Sequence, residues 1–265
     1  MFYKCDQFPK LHVPASISNF YGADTSGSKT YQFNSLGFRS EEFNSNAQFK
    51  FFVFGPSSSI VTGLNIDETY GYQLKTRIAK DVHCSLNDIN FMNFAVAGVS
   101  TDYSVRNLIN QCSEYAPDFL VLDLSHPSRM EWVSEHGTGV PFGSGIPNTP
   151  MSYFQFYEDE LGVCNLLKNL LLMQSFCQLK NIEYIVLNSV YDFNNLPKRG
   201  PLAEYFEKIN NSHVLNYINV KALDHAADTK WNEDGSFKWR GHLGPESNKH
   251  MAEQIYQKYQ ALQSE

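Results

Sequence analysis

The sequence predicts an α/β protein: a three-layer sandwich in which one doubly wound parallel sheet of about five strands lies between helical layers. Three observations predict it. Short apolar runs rich in aromatic and β-branched residues recur at Phe51–Phe54, Asp88–Val96, Pro117–Leu124, Ile182–Val190 and Val214–Ile218, the pattern of strands buried on both faces. Between and after them, residues 70–82, 101–115, 154–179, 201–210 and 246–262 carry helical spacing or composition. No internal repeat appears, and 265 residues are enough for one large domain with a substantial core.

Residues 1–48 are aromatic, Ser/Asn/Gly-rich and weakly periodic, and read as an irregular leader packed on a domain spanning 49–265. Within the leader stands Asn34-Ser35-Leu36-Gly37-Phe38-Arg39, then Glu41-Glu42-Phe43. The planar fork of Arg39 suits an acidic or carbonyl group in a pocket, or an ion pair joining leader to domain. The first strand, Phe51–Phe54, stops at Gly55, and Pro56 has no N–H for a sheet. Ser57, Ser58 and Ser59 follow before a helix that starts near Glu68. A hydroxyl is thereby delivered to the carboxyl end of a buried strand, the edge of open parallel sheets where ligands bind. A plain polar turn or a helix cap is the other use of these serines.

Tyr72, Leu74, Ile78 and Ala79 give the next helix its apolar face. The second strand ends in Ala97-Gly98-Val99-Ser100-Thr101, with Thr101 as the expected cap of helix 101–115. The third, PDFLVLDL, carries an acid within it and runs into Ser125-His126-Pro127-Ser128-Arg129. Residues 136–150 are rich in Gly and Pro, which excludes a helix or central strand and suggests a substrate-shaping loop or an idle insertion. Leu161, Leu166, Leu167, Leu170, Leu171 and Met173 cover a broad core face of helix 154–179. Pro245 opens the last helix, and Met251, Ala252, Ile255, Tyr256 and Tyr259 follow at helical spacing. His242 lies just ahead of it; His250 reads as surface.

The formal net charge of −7, with 18% charged residues and no Lys/Arg cluster, argues against nucleic acid as a partner. Aromatics make up 14%, and core packing is their first use, a carbohydrate-facing surface a further one. Cys5, Cys84, Cys112, Cys164 and Cys177 are odd in number, widely spaced and without metal spacing, so reduced, mostly buried thiols are expected. The N-terminus lacks the apolar core of a signal peptide, and no stretch of about 18 apolar residues exists. The expectation is a soluble cytoplasmic protein in a reducing compartment with no membrane partner. Export by other routes, incorporation into a particle and homo-oligomerisation stay open.

Four blocks of the chain, between about Asn34 and Tyr256, resemble the SGNH (GDSL-like) hydrolase family, two of them intact and two altered. Gly55-Pro56-Ser57, with Ser59, Gly63-Leu64 and Glu68-Thr69-Tyr70, resembles the nucleophile block, Pro56 replacing its Asp. Asn93 to Gly98 resembles the second block, and the Asn34 to Arg39 step is similar to one that precedes the first strand in many of these proteins. The third block has Pro127 where the family has Asn, and the last has Trp239, followed by Arg240, where it has Asp. The resemblance implies a flavodoxin-like SGNH fold with Ser57 as nucleophile, His242 as base, and the N–H groups of Ser57 and Gly98 around an oxyanion. Ser125, His126, Ser128 or Arg129 would replace the Asn donor, or two backbone donors would serve alone. Asp234, Glu233 or a backbone carbonyl would orient the imidazole. Arg39, Ser125, His126 and Arg129 would face a substrate. No metal or cofactor is implied. The activity implied is hydrolysis of a small-molecule or carbohydrate ester, such as an O-acyl or O-acetyl group; the alternative is a non-catalytic binding or structural part of an assembly.

Overall fold

A computed structural model describes residues 33–61, 64–133, 139–142, 153, 159–188, 200, 203–204, 217–219 and 243–264. Among them, five strands form one sheet in the order β2-β1-β3-β6-β7: β1 Phe49–Phe54, β2 Ile89–Asn93, β3 Phe119–Asp123, β6 Glu183–Asn188 and β7 Tyr217–Asn219. β1 pairs β2, β3 pairs β6 and β6 pairs β7, all in parallel. A separate antiparallel ribbon joins β4, Met130–Val133, to β5, Gly139–Phe142. The helices are α1 Ser57–Ile60, α2 Tyr70–Asp81, α3 Thr101–Tyr115, α4 Asp159–Lys180 and α5 Pro245–Leu262. The α/β class and parallel sheet expected from the sequence are therefore present. The chain divides into two compact units, one of residues 1–53, 57–96 and 223–265, the other of 54–56 and 97–222.

In the first unit, Phe51, Phe52 and Val53 are at most 1% exposed, as a strand covered on both faces requires. Phe51 stacks on Phe91 of β2 at 5.3 Å, and Phe52 meets Phe94 edge-on at 5.1 Å. Gly71 lets α2 lie against this pair, because a Cβ there would stand 2.5 Å from the Phe91 ring. Residues 33–48 form no regular element, yet they cover the outer side of β2. Ser40 Oγ donates to Phe91 O (2.9 Å) and accepts from Asn93 N–H (2.8 Å), while Asn90 exchanges bonds with Asn44 N and Glu42 O. β2 is a terminal strand, and these bonds occupy groups that an exposed edge would offer to another chain.

The Asn34 to Arg39 step owes its sequence to a compact turn. Asn34 Oδ1 accepts from Leu36 N and Phe38 N at 3.1 and 2.9 Å, and Gly37 takes φ 84°, a conformation that suits glycine. Phe38 is then inserted against Phe94, ring centroids 5.0 Å apart, and Arg39 is turned inward at 5% exposure.

In the second unit, β3 and residues 184–187 of β6 are fully buried. Ser100, not the expected Thr101, caps α3: its Oγ accepts from Tyr103 N–H (3.3 Å), while Thr101 Oγ1 accepts from Ser125 N–H (3.2 Å). The Asp102 carboxylate in the first turn of α3 accepts from Asn165 and Asn169 of α4, at 2.8 and 2.7 Å to Oδ1. Arg106 pairs with Glu131 of β4. Residues 139–142 of the Gly/Pro-rich stretch are a strand rather than loop. Pro141 is tolerated there because a two-stranded ribbon has no central strand. The expected helix 201–210 lies largely outside the described residues.

Cys84, Cys112, Cys164 and Cys177 are free thiols. Cys112 and Cys177 are buried, but Cys84 and Cys164 are only half-buried, which corrects the expectation for those two; Cys5 lies outside the described residues. Burial pushes the Cys177 thiol up to about 12 and Cys112 higher still, so neither is a ready nucleophile.

Candidate active site

Ser57 is the first residue of α1 and is half-buried, immediately after the buried Gly55-Pro56 that ends the strand. The serines do not wait for the helix expected near Glu68, because they make a single helical turn of their own. Val61 N–H closes it on Ser57 O at 3.0 Å. Residues Ile66–Glu68 are a 3₁₀ turn, and Thr69 caps α2 by accepting from Tyr72 N–H (3.4 Å).

Three contacts fix the turn. Asn93 Nδ2 at the end of β2 donates to Ser59 O (2.9 Å). Ser59 Oγ and the Tyr70 hydroxyl lie 2.7 Å apart, both buried. The Arg39 guanidinium donates to Ile60 O (2.7 Å), Val61 O (2.6 Å) and Leu64 O. The fork expected to meet a carbonyl group does so, but the carbonyls belong to the main chain following Ser57. Gly63 of the nucleophile block lies outside the described residues.

Tyr70 also leads to the far end of the chain. Its backbone N–H donates to Asn248 Oδ1 (3.0 Å), and Asn248 Nδ2 donates to Leu243 O (3.1 Å) and Gly244 O (3.0 Å). Asn248 is 1% exposed in the first turn of α5, which Pro245 opens as expected. Leu243 is the residue after His242. Hydrogen bonds thus run from Ser59, two residues beyond Ser57, to the neighbour of His242. His242, Asp234, Glu233, Trp239 and Arg240 themselves lie outside the described residues.

In the second unit, Gly98 has φ 76°, which a side chain would strain, between β2 and α3. Ser125 is 1% exposed and spends its hydroxyl on Val99 O (2.6 Å). The hydroxyl expected to face a substrate is thus bonded to the main chain of the Val99–Thr101 turn. His126 Nδ1 accepts from Ser128 N–H at 3.1 Å, which makes the neutral ring an Nε2–H tautomer, and Ser128 Oγ then donates to the same Nδ1 at 2.7 Å. Tyr153 OH donates to Ser128 O (2.5 Å), so the segment that replaces the Asn block is internally bonded. Arg129 closes this turn through its N–H on His126 O, and burial pushes its guanidinium pKa down.

Sequence reasoning missed Tyr70 as a buried partner of the serine turn and Asn248 altogether. An Asn three residues into a helix that follows Gly-Pro was the available signal for the latter. Among the described residues, no three His, Cys, Asp or Glu side chains gather as a metal site, and no helix is long and apolar enough to cross a membrane.

The fold is shared with solved structures, an esterase among them. The chain is similar to the psychrotrophic esterase EstA from Pseudoalteromonas sp., solved inhibited by monoethylphosphonate, at 16% identity and TM-score 0.50, over 82% of this chain and 99% of that one. It is also similar to TesA, at 14% identity and TM-score 0.49 over 80% and 99% of the two chains. A G-D-S-L family protein from Desulfitobacterium hafniense DCB-2 matches at 12% identity and TM-score 0.45, over 80% and 99%. No family model and no curated protein matches. The chain has the α/β fold of the SGNH (GDSL-like) esterases, in a divergent sequence. Likeness at this identity concerns the fold.

Proposed function

We propose that this chain is a serine ester hydrolase of SGNH type. Ser57 Oγ attacks the ester carbonyl while His242 takes its proton. The N–H groups of Ser57 and Gly98 stabilise the oxyanion, and His242 returns the proton to the leaving alcohol; water then releases the acyl group by the same route in reverse. Asp234 is assigned to orient the imidazole, and the His126 and Arg129 side chains to contact the substrate. The substrate class is a short acyl ester, with O-acetylated carbohydrate the first to try. The observation that carries this reading is the Ser59–Tyr70–Asn248–Leu243 chain of hydrogen bonds, which ties the serine turn to the residue beside the proposed base. The phosphonate-inhibited EstA makes an organophosphonate a suitable probe.

A second reading, a non-catalytic descendant that binds a ligand or serves in an assembly, is favoured by Pro127 and Trp239 at the two altered positions. A proline cannot donate a hydrogen bond from its nitrogen, and losing one oxyanion donor costs on the order of 10²- to 10³-fold in a serine protease. Purified protein incubated with chromogenic acetyl and longer-chain acyl esters, and with acetylated oligosaccharides, separates the two. Saturable release above the spontaneous rate is expected. Absence of turnover with every ester would favour the second reading.

A further inference from the structure

Val61 is a β-branched residue in the left-handed region, φ 54°, directly after the helical turn that begins at Ser57. That conformation costs on the order of 1–2 kcal/mol and persists only where the surroundings over-determine it. What surrounds it is Arg39. The single guanidinium donates to Ile60 O at the last residue of α1 and to Val61 O and Leu64 O beyond it, and Arg39 is 5% exposed. The rest of the motif aims it: Asn34 bonds the turn, Gly37 takes the positive φ, and buried Phe38 anchors the chain on Phe94. We propose that Arg39 is a positioning residue, a planar clamp that holds the strained main chain after Ser57 and so fixes where the Ser57 hydroxyl points. This deepens the hydrolase reading and rests on it for its catalytic consequence.

A clamp of this kind needs two nitrogens in one plane. Lysine keeps the charge but offers a point donor, so it cannot hold three carbonyls set around a fork. For Arg39→Lys the expected result is a kcat at least tenfold lower with KM within twofold of wild type. Hydrogen exchange of the Val61 amide, whose bond closes the turn on Ser57 O, should quicken at least tenfold. The Phe94 amide, bonded to Val53 O, should keep its wild-type rate. Guanidinium ion at low millimolar concentration should restore part of the kcat of Arg39→Ala.

A structural role alone would lower the melting temperature and speed exchange of both amides alike. Unchanged kcat together with unchanged Val61 exchange in Arg39→Lys would overturn the inference. Should the wild type lack esterase activity, the hydrolase reading fails, and the Val61 exchange ratio still decides whether Arg39 holds the turn.

Discussion

Ser57→Ala and His242→Gln are each expected to lower ester turnover by on the order of 10⁶-fold, or to the spontaneous rate if that is reached first, and the double substitution by no more. The reason is that a serine hydroxyl is a poor nucleophile until a base removes its proton, and the base has no task without the hydroxyl. Removing either dismantles the same unit, so the effects do not add. The pH profile distinguishes base from bystander. An unperturbed imidazole titrates near pH 6.5, and only its neutral form can accept the serine proton. Wild-type kcat/KM should therefore rise through that region as pH increases, and any residual activity of His242→Gln should lack this limb. A His242 variant retaining turnover and the acid limb would move the base elsewhere, His126 being the first place to look.

Asn248→Ala should destabilise the protein by about 2 kcal/mol, since the buried Tyr70 N–H loses the acceptor this side chain gives it, at about 1–3 kcal/mol for an unsatisfied buried group, while the part-buried Leu243 O loses its donor. Urea unfolding would show a lower midpoint at an unchanged slope. At temperatures where the variant is folded, kcat should drop and KM hold, because the lost bonds locate the segment beside His242 rather than a substrate. Asn248→Asp sharpens the test: it keeps an acceptor for Tyr70 N–H but turns a carboxylate toward the Leu243 and Gly244 carbonyls, and should be as damaging. A change below about 0.5 kcal/mol in both variants, typical of an uninvolved surface site, would contradict the role assigned to Asn248.

How much of this was legible beforehand follows from which forces are local. Phe51–Phe54 declared itself a strand because four successive large apolar residues leave no solvent face, and the structure buries all four. The helical spacing over 70–82 and 101–115 is met by α2 and α3, although the start expected near Glu68 is a 3₁₀ turn and Thr101 is the first residue of α3 rather than its cap. The cap of α3 was not decidable from two adjacent hydroxyls. Ser100 took the role because Thr101 Oγ1 is used by Ser125 N–H, a residue 24 positions away. Similarly, the fork of Arg39 signalled a planar partner, but only folding showed that partner to be the main chain after Ser57. The Ser59–Tyr70 and Tyr70–Asn248 bonds join positions with no shared periodicity, the second across 178 residues, so nothing in a local pattern could reveal them. The β4–β5 ribbon escaped because Gly and Pro forbid only helices and central strands.

The most direct measurement is the site of covalent capture by an alkyl fluorophosphonate, located by intact mass and peptide mapping. The account predicts one adduct per chain, on Ser57, formed slowly in His242→Gln and absent from Ser57→Ala. No adduct in the wild type, or an adduct on another hydroxyl such as Ser128 beside His126, would contradict it.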